Sequence, residues 1–148
     1  MSRGNYKPNI EQFYHTSTIE LEKYTSSFVG GHGADINDGI EVVNFPYIAG
    51  MNASKHKLII VKGDSMSPKI EEGDTVIIEV FKNGAKPRQG DIVAVILNGD
   101  LILKVYDPGA LCLYLSSLNQ NYDPIQVYET DSCNILGKAW KIVKDAEL

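Results

Sequence analysis

The 148-residue chain has no long hydrophobic run. No segment approaches the roughly 20 consecutive apolar residues that a membrane-crossing helix needs. Its first residues, MSRGNYKPNI, are polar and do not resemble a secretory leader. A cytoplasmic protein with no membrane partner is therefore expected, and Asn52-Ala53-Ser54 reads as a chance match to the glycosylation sequon. Cysteine is scarce as well. Cys112 and Cys133 are not in a C-x-x-C pair, and neither has a histidine near it in sequence. Nothing in this spacing suggests a zinc site, leaving two reduced, buried thiols as the expectation. No motif calls for a metal or a cofactor. Positive charge is also in short supply, with 14 Lys and Arg against 19 Asp and Glu for a net charge of −5. That balance argues against a free-standing nucleic-acid binder but leaves room for a domain that serves a DNA-binding neighbour.

What is present is an ordinary globular composition, 43% hydrophobic and 22% charged, long enough for one domain with a core of its own. Residues 1–28 are polar and interrupted, and read as an N-terminal arm or linker; Ile19 to Tyr24 fits a short helix or an extended piece equally well. Three glycines in four residues follow, in Val29-Gly30-Gly31-His32-Gly33-Ala34, thin enough to be a loop or to lie in a cleft. From Lys57 onward the pattern is β. Lys57–Val61 and Asp74–Val80 read as strands, the second with Val76, Ile78 and Val80 on one face and Thr75, Ile77 and Glu79 on the other. Ile92–Leu97 is continuously apolar, as a strand buried on both faces would be. Asn98-Gly99 suits a tight hairpin turn into Leu101–Tyr106. Leu111–Leu115, Ile125–Tyr128 and Ile135–Val143 complete the set. The expected fold is a mainly β, compact, bent antiparallel sheet domain.

Two features stand out chemically. The stretch GDSMSPKIEEGD, residues 63–74, sets Ser65 in a tight polar turn. Within Leu101-Ile102-Leu103-Lys104-Val105-Tyr106, Lys104 is the single charge, on the face of Ile102 and Tyr106. Lys104 fits an edge-strand lysine that keeps its head in water. It also fits a lysine whose apolar setting lowers its pKa, giving a neutral amine able to take a proton from a serine hydroxyl. A Ser–Lys dyad would join the two features into one mechanism. A Ser–His arrangement has less support: Ser65 is not in a G-x-S-x-G elbow, and His32 and His56 read as loop residues. Lys138, Lys141 and Lys144 read as solvated.

Taken together, Gly63-Asp64-Ser65-Met66-Ser67-Pro68, Gly73-Asp74, Gly90-Asp91-Ile92 and Leu103-Lys104 resemble the self-cleaving repressor family of LexA, the phage repressors and UmuD. The segment Ser116 to Ile125 and the 39-residue separation of Ser65 and Lys104 (104 − 65) are similar to that family too. The resemblance runs from about Gly30 to the C-terminus. It implies a sheet domain of the LexA C-terminal or signal-peptidase-like type, residues 29–148, that is both peptidase and dimerisation domain and includes the cleavage region. It further implies Ser65 as nucleophile, Lys104 as general base, and the backbone N–H groups of Ser65 and Met66 as oxyanion hole. Asp74 is expected to be structural. The cleavage site would be Gly30–Gly31, in a segment that continues to Glu41 and Phe45-Pro46; glycine stands at 30 where the family has alanine or cysteine. The implied function is autoproteolytic relief of repression in a phage-type or LexA-like repressor. Its implied partners are a second copy of the chain, DNA through an N-terminal domain, and an activated recombinase filament as trigger. A UmuD-like mutagenesis accessory protein and a non-cleaving dimerisation module are the alternatives.

Overall fold

The computed structural model describes residues 17–24 and 39–144. They form nine strands: β1 (Thr18–Tyr24), β2 (Ile40–Pro46), β3 (His56–Ile60), β4 (Thr75–Val80), β5 (Ile92–Leu97), β6 (Asp100–Pro108), β7 (Leu113–Ser116), β8 (Ile125–Val127) and β9 (Cys133–Val143). All belong to one sheet, in the order β2-β1-β3-β4-β9-β5-β6-β7-β8. Every pairing is antiparallel except β1 with β3, where Lys23 lies opposite Leu58 and Tyr24 opposite Ile59.

The last strand holds the two halves together. β9 inserts between β4 and β5, and each of these pairings is interrupted by a bulge, at Ile77/Ile78 and at Ala94/Val95. Bulges bend strands and increase local twist. Gly137 sits between them, where a Cβ would overlap the backbone carbonyl of Glu79, so only glycine fits the approach of β4 to β9.

The bend is large. β1 and β6 are five steps apart in the sheet order, which on a flat sheet would separate them by about 24 Å. Yet Tyr24 of β1 and Leu103 of β6 belong to one buried cluster with Ile59, Val76, Ile78 and Ala94, to which Met66 and Ile70 are added from the β3–β4 connection. The sheet therefore curls until its first and sixth strands share a core. A second cluster, around Leu21, Phe45, Leu58 and Ile77, lies on the opposite face of β4. A third, around Val93, Val95 and Leu115, lies on the opposite face of β5.

The β reading from residue 57 onward holds strand by strand. Ile92–Leu97 is β5 with the expected bounds, and its two faces enter different clusters. Asn98 and Gly99 both take positive φ, 51° and 90°, as the two-residue hairpin requires. Ile19 to Tyr24 is extended within β1. Glu41 and Phe45-Pro46, expected as part of a cleavage segment, lie in β2, paired residue for residue with β1.

Three expectations are corrected. His56 is not a loop residue: it opens β3, is 1% exposed and stacks on Trp140 with ring centroids 4.2 Å apart. Lys144 is not simply solvated: its ammonium lies 2.6 Å from the buried Asp74 carboxylate and 2.9 Å from the Lys69 carbonyl. Both cysteines are free, but each is only half-buried.

Candidate active site

The β3–β4 connection is a closed loop. Its base is fastened by Val61 N–H to the Asp74 carbonyl (2.9 Å) and Gly73 N–H to the Val61 carbonyl (3.0 Å). The Asp74 side chain accepts from the Glu71 N–H at 2.8 Å, which gives that aspartate its structural role. Within the loop, Met66 and Ile70 are buried in the first cluster, and Ile70 N–H donates to the Met66 carbonyl. Gly63 turns the chain with φ of +76°. Ser65 is thus presented between an anchored Met66 and an exposed Asp64.

Lys104 is on β6, which runs between β5 and β7, so the edge-strand reading does not hold. Its residue is 7% exposed. Burial lowers the lysine pKa, because the charged form loses hydration. The ammonium donates a 2.8 Å hydrogen bond to the Ser117 hydroxyl and lies 5.5 Å from the centre of the Tyr122 ring.

Ser65 and Lys104 line the same cavity, of about 200 Å³, together with Tyr24, Val61, Met66 and Leu101. The two predicted residues, one on a turn and one on a strand, are brought to one place by the curl of the sheet. The Ser65 hydroxyl has no hydrogen-bond partner among the described residues; Lys104 is turned to Ser117. The N–H groups of Ser65 and Met66 are likewise not used by other described residues, whereas the Ser65 carbonyl accepts from Asn119 N–H at 2.9 Å. Gly30 and Gly31 lie outside the described residues.

The segment after β7 ties the two halves of the site together. The β6–β7 register sets Val105 opposite Ser116, so one step further Lys104 faces Ser117. Two residues on, Asn119 holds the Ser65 carbonyl by its backbone and the Asp64 carbonyl by its side chain, at 2.9 Å each. Tyr122 donates its hydroxyl proton to the Asp64 carboxylate. That acceptor and its negative charge raise the tyrosine pKa. Ser117, Asn119 and Tyr122 were not singled out by the sequence reading, which noted this stretch only for its family likeness. The signal that finds Ser117 is the hairpin register, which needs the strand pairing to be known.

A bent β domain thus sets a serine turn and a buried lysine into one cavity. The chain belongs to the Peptidase S24-like family, whose model matches residues 24–140. Among curated proteins it is similar to the LexA repressor of Desulfatibacillum aliphaticivorans, 38% identical over 76 residues, which is 51% of this chain and 36% of the relative. It is also similar to the LexA repressor of Thermobifida fusca (strain YX), 33% identical over 88 residues, or 59% of this chain and 32% of the relative. A third LexA repressor, from Magnetococcus marinus, is 38% identical over 79 residues, or 53% of this chain and 33% of the relative. The chain thus spans about a third of the length of the curated relatives it matches. Among the described residues, no helix is long and apolar enough to cross a membrane.

Proposed function

We propose that this chain is the autoproteolytic and dimerisation domain of a LexA-type repressor, in which Ser65 and Lys104 cut the chain's own Gly30–Gly31 bond. One observation carries the proposal: the cavity lined by Ser65 and Lys104 is also lined by Tyr24, the last residue of β1. The segment holding Gly30–Gly31 leaves the sheet there and returns at Ile40, which pairs with Tyr24. Gly30 is six residue steps from Tyr24 (30 − 24), a reach of about 20 Å when extended. One end of the substrate segment is thus at the cavity wall and the other is paired to it, and such tethering replaces a bimolecular encounter with a local one.

In the proposed reaction the neutral Lys104 amine takes the Ser65 hydroxyl proton. The serine oxygen forms a bond to the Gly30 carbonyl carbon, and the N–H groups of Ser65 and Met66 receive the negative oxygen. The C–N bond then breaks as the Lys104 ammonium returns a proton to the Gly31 nitrogen. Water, deprotonated by the same amine, hydrolyses the Gly30–Ser65 ester. Ser117 acts by holding the lysine nitrogen, and Asn119 and Tyr122 by holding the serine turn. Burial of Lys104 supplies the neutral base at a pH where an exposed lysine would be charged. Cleavage would part an N-terminal DNA-binding domain from the dimerising body. Two linked heads bind two half-sites far better than free heads, so one cut relieves repression. An activated recombinase filament is the proposed trigger.

A serine-directed phosphonylating reagent tests the site without reference to the cleavage loop. At alkaline pH it should add one label per chain, on Ser65. The label should be lost in Lys104→Ala at an unchanged far-ultraviolet spectrum. Equal labelling of the two proteins would contradict the dyad.

A further inference from the structure

A second groove, of about 380 Å³, lies on the β4–β5 connection, away from the Ser65 cavity. Five cationic side chains line it, Lys55, Lys82, Lys86, Arg88 and Lys138, against two carboxylates, Glu79 and Asp91. The whole chain has 14 cations and 19 carboxylates. More than a third of its positive charge is therefore gathered in one place, a local balance of +3 (5 − 2) on a protein of net −5.

The carboxylates do little to neutralise it. Glu79 is approached by Lys55 at 3.7 Å, and Asp91 accepts a 2.8 Å hydrogen bond from the Arg88 backbone N–H. Lys82, Lys86, Arg88 and Lys138 form no ion pair with any described residue. Like charges held together in this way repel, and an anionic ligand relieves the repulsion. The scaffold is firm. Asn83 and Gly84 take positive φ, 55° and 79°, in a turn closed by Ala85 N–H to the Lys82 carbonyl, and Phe81 N–H is fixed to the Leu136 carbonyl of β9. Half-buried Phe81 is part of the lining, so an aromatic surface adjoins the cations.

We infer that this groove binds a single-stranded nucleic acid, with Lys82, Lys86, Arg88 and Lys138 on its phosphates and Phe81 against a base. A cationic track beside an aromatic platform is what a flexible phosphodiester strand with unpaired bases requires; a small inorganic anion would not use the ring, and the bases of a duplex are not free to stack on it. The inference stands on this groove alone and does not depend on the Ser–Lys reading.

The test is fluorescence anisotropy of a labelled oligothymidylate with the full chain, titrated at several salt concentrations. Binding should weaken with salt with a log–log slope of about −3, the value for four neutralised phosphates on a single strand. The triple variant Lys82→Glu/Lys86→Glu/Arg88→Glu should bind at least about tenfold more weakly. Phe81→Ala should lose about fivefold or more. A triple glutamine variant at the same three positions, with an unchanged thermal midpoint, keeps the result readable if charge reversal harms folding. Absent or salt-indifferent binding would overturn the inference, as would unchanged affinity in the glutamine variant. A same-length duplex or polyglutamate bound as tightly as the oligothymidylate would overturn it as well.

Discussion

Lys104 and Ser117 face each other across the β6–β7 hairpin, the ammonium donating to the hydroxyl at 2.8 Å. The contact fixes a lysine head that has almost no water around it. It also joins the strand that carries the lysine to the segment that holds the serine turn. Removing the hydroxyl should leave the fold intact but free the nitrogen. Ser117→Ala is expected to slow self-cleavage by about tenfold to a hundredfold, the range for loss of a hydrogen bond to a charged group. Ser117→Thr, which keeps a hydroxyl, should restore most of the rate. Equal rates for alanine and wild type would show that the lysine is positioned by other contacts.

Lys104 should be a stability cost that function retains. Its folded-state pKa is depressed, so between the folded and unfolded values the unfolded chain binds more protons. Stability contributed by this residue is therefore present in full above the unfolded lysine pKa and is lost as pH falls through the folded one. Lys104→Met, which keeps the volume and drops the charge, should raise the thermal midpoint at neutral pH by about 2–4 °C for each kcal/mol of relieved desolvation. The gain should shrink as pH rises. A lower midpoint for the variant at neutral pH would mean that the Ser117 bond outweighs the burial cost.

Tyr122 reaches the site from the other side, through Asp64. Tyr122→Phe keeps the ring near Lys104 but releases the Asp64 carboxylate, loosening the turn that presents Ser65. A fall in cleavage rate of about threefold to tenfold is expected from one exposed hydrogen bond. The pH at which the rate levels off should not move. A shifted profile instead would mean that Tyr122 acts on Lys104 directly.

His56 gives the fold a sensitivity to acid. Its Nδ1 accepts the Asn52 N–H at 3.0 Å, and its Nε2 has no partner among the described residues. Burial, helped by the nearby Lys55, lowers its pKa against the opposing pull of Glu79. Its contribution to stability is thus whole above the unfolded histidine value of about 6.5 and declines as pH falls towards the folded one. His56→Phe, which preserves the stack on Trp140, should flatten urea-derived stability against pH below about 6.5. Parallel slopes for the two proteins would assign the acid sensitivity elsewhere.

Gly137 tests the centre of the sheet. A Cβ there would overlap the Glu79 carbonyl, a backbone atom that cannot swing aside. Gly137→Ala should cost about 3 kcal/mol or more in urea unfolding, the upper end for overpacking. A cost below about 1 kcal/mol would mean that the two bulges give way more easily than a packed sheet centre should.

Much of this architecture could be read from residue pattern because the pattern was physical. Ile92–Leu97 is apolar at every position and lies in a strand with a cluster on each side. Asn98-Gly99 is a turn that few other dipeptides make. Ser65 and Lys104 were visible because each is chemically out of place. β2 was not legible: Val42 is 62% exposed and Pro46 ends the run, so neither alternation nor a clean apolar block announces a strand. His56 was misread because what buries it, Trp140, lies 84 residues away (140 − 56). Ser117, Asn119 and Tyr122 are ordinary polar residues whose positions matter only after β6 and β7 pair and the sheet curls.

The most direct test of the central claim is intact-mass spectrometry of the purified chain after incubation at neutral and at alkaline pH, with Ser65→Ala and Lys104→Ala in parallel. The account predicts two fragments parted at Gly30–Gly31, formed faster at high pH and absent in both variants, with an activated recombinase filament accelerating the neutral reaction. An intact chain at both pH values, with or without the filament, would contradict it, as would a cut that survives Lys104→Ala.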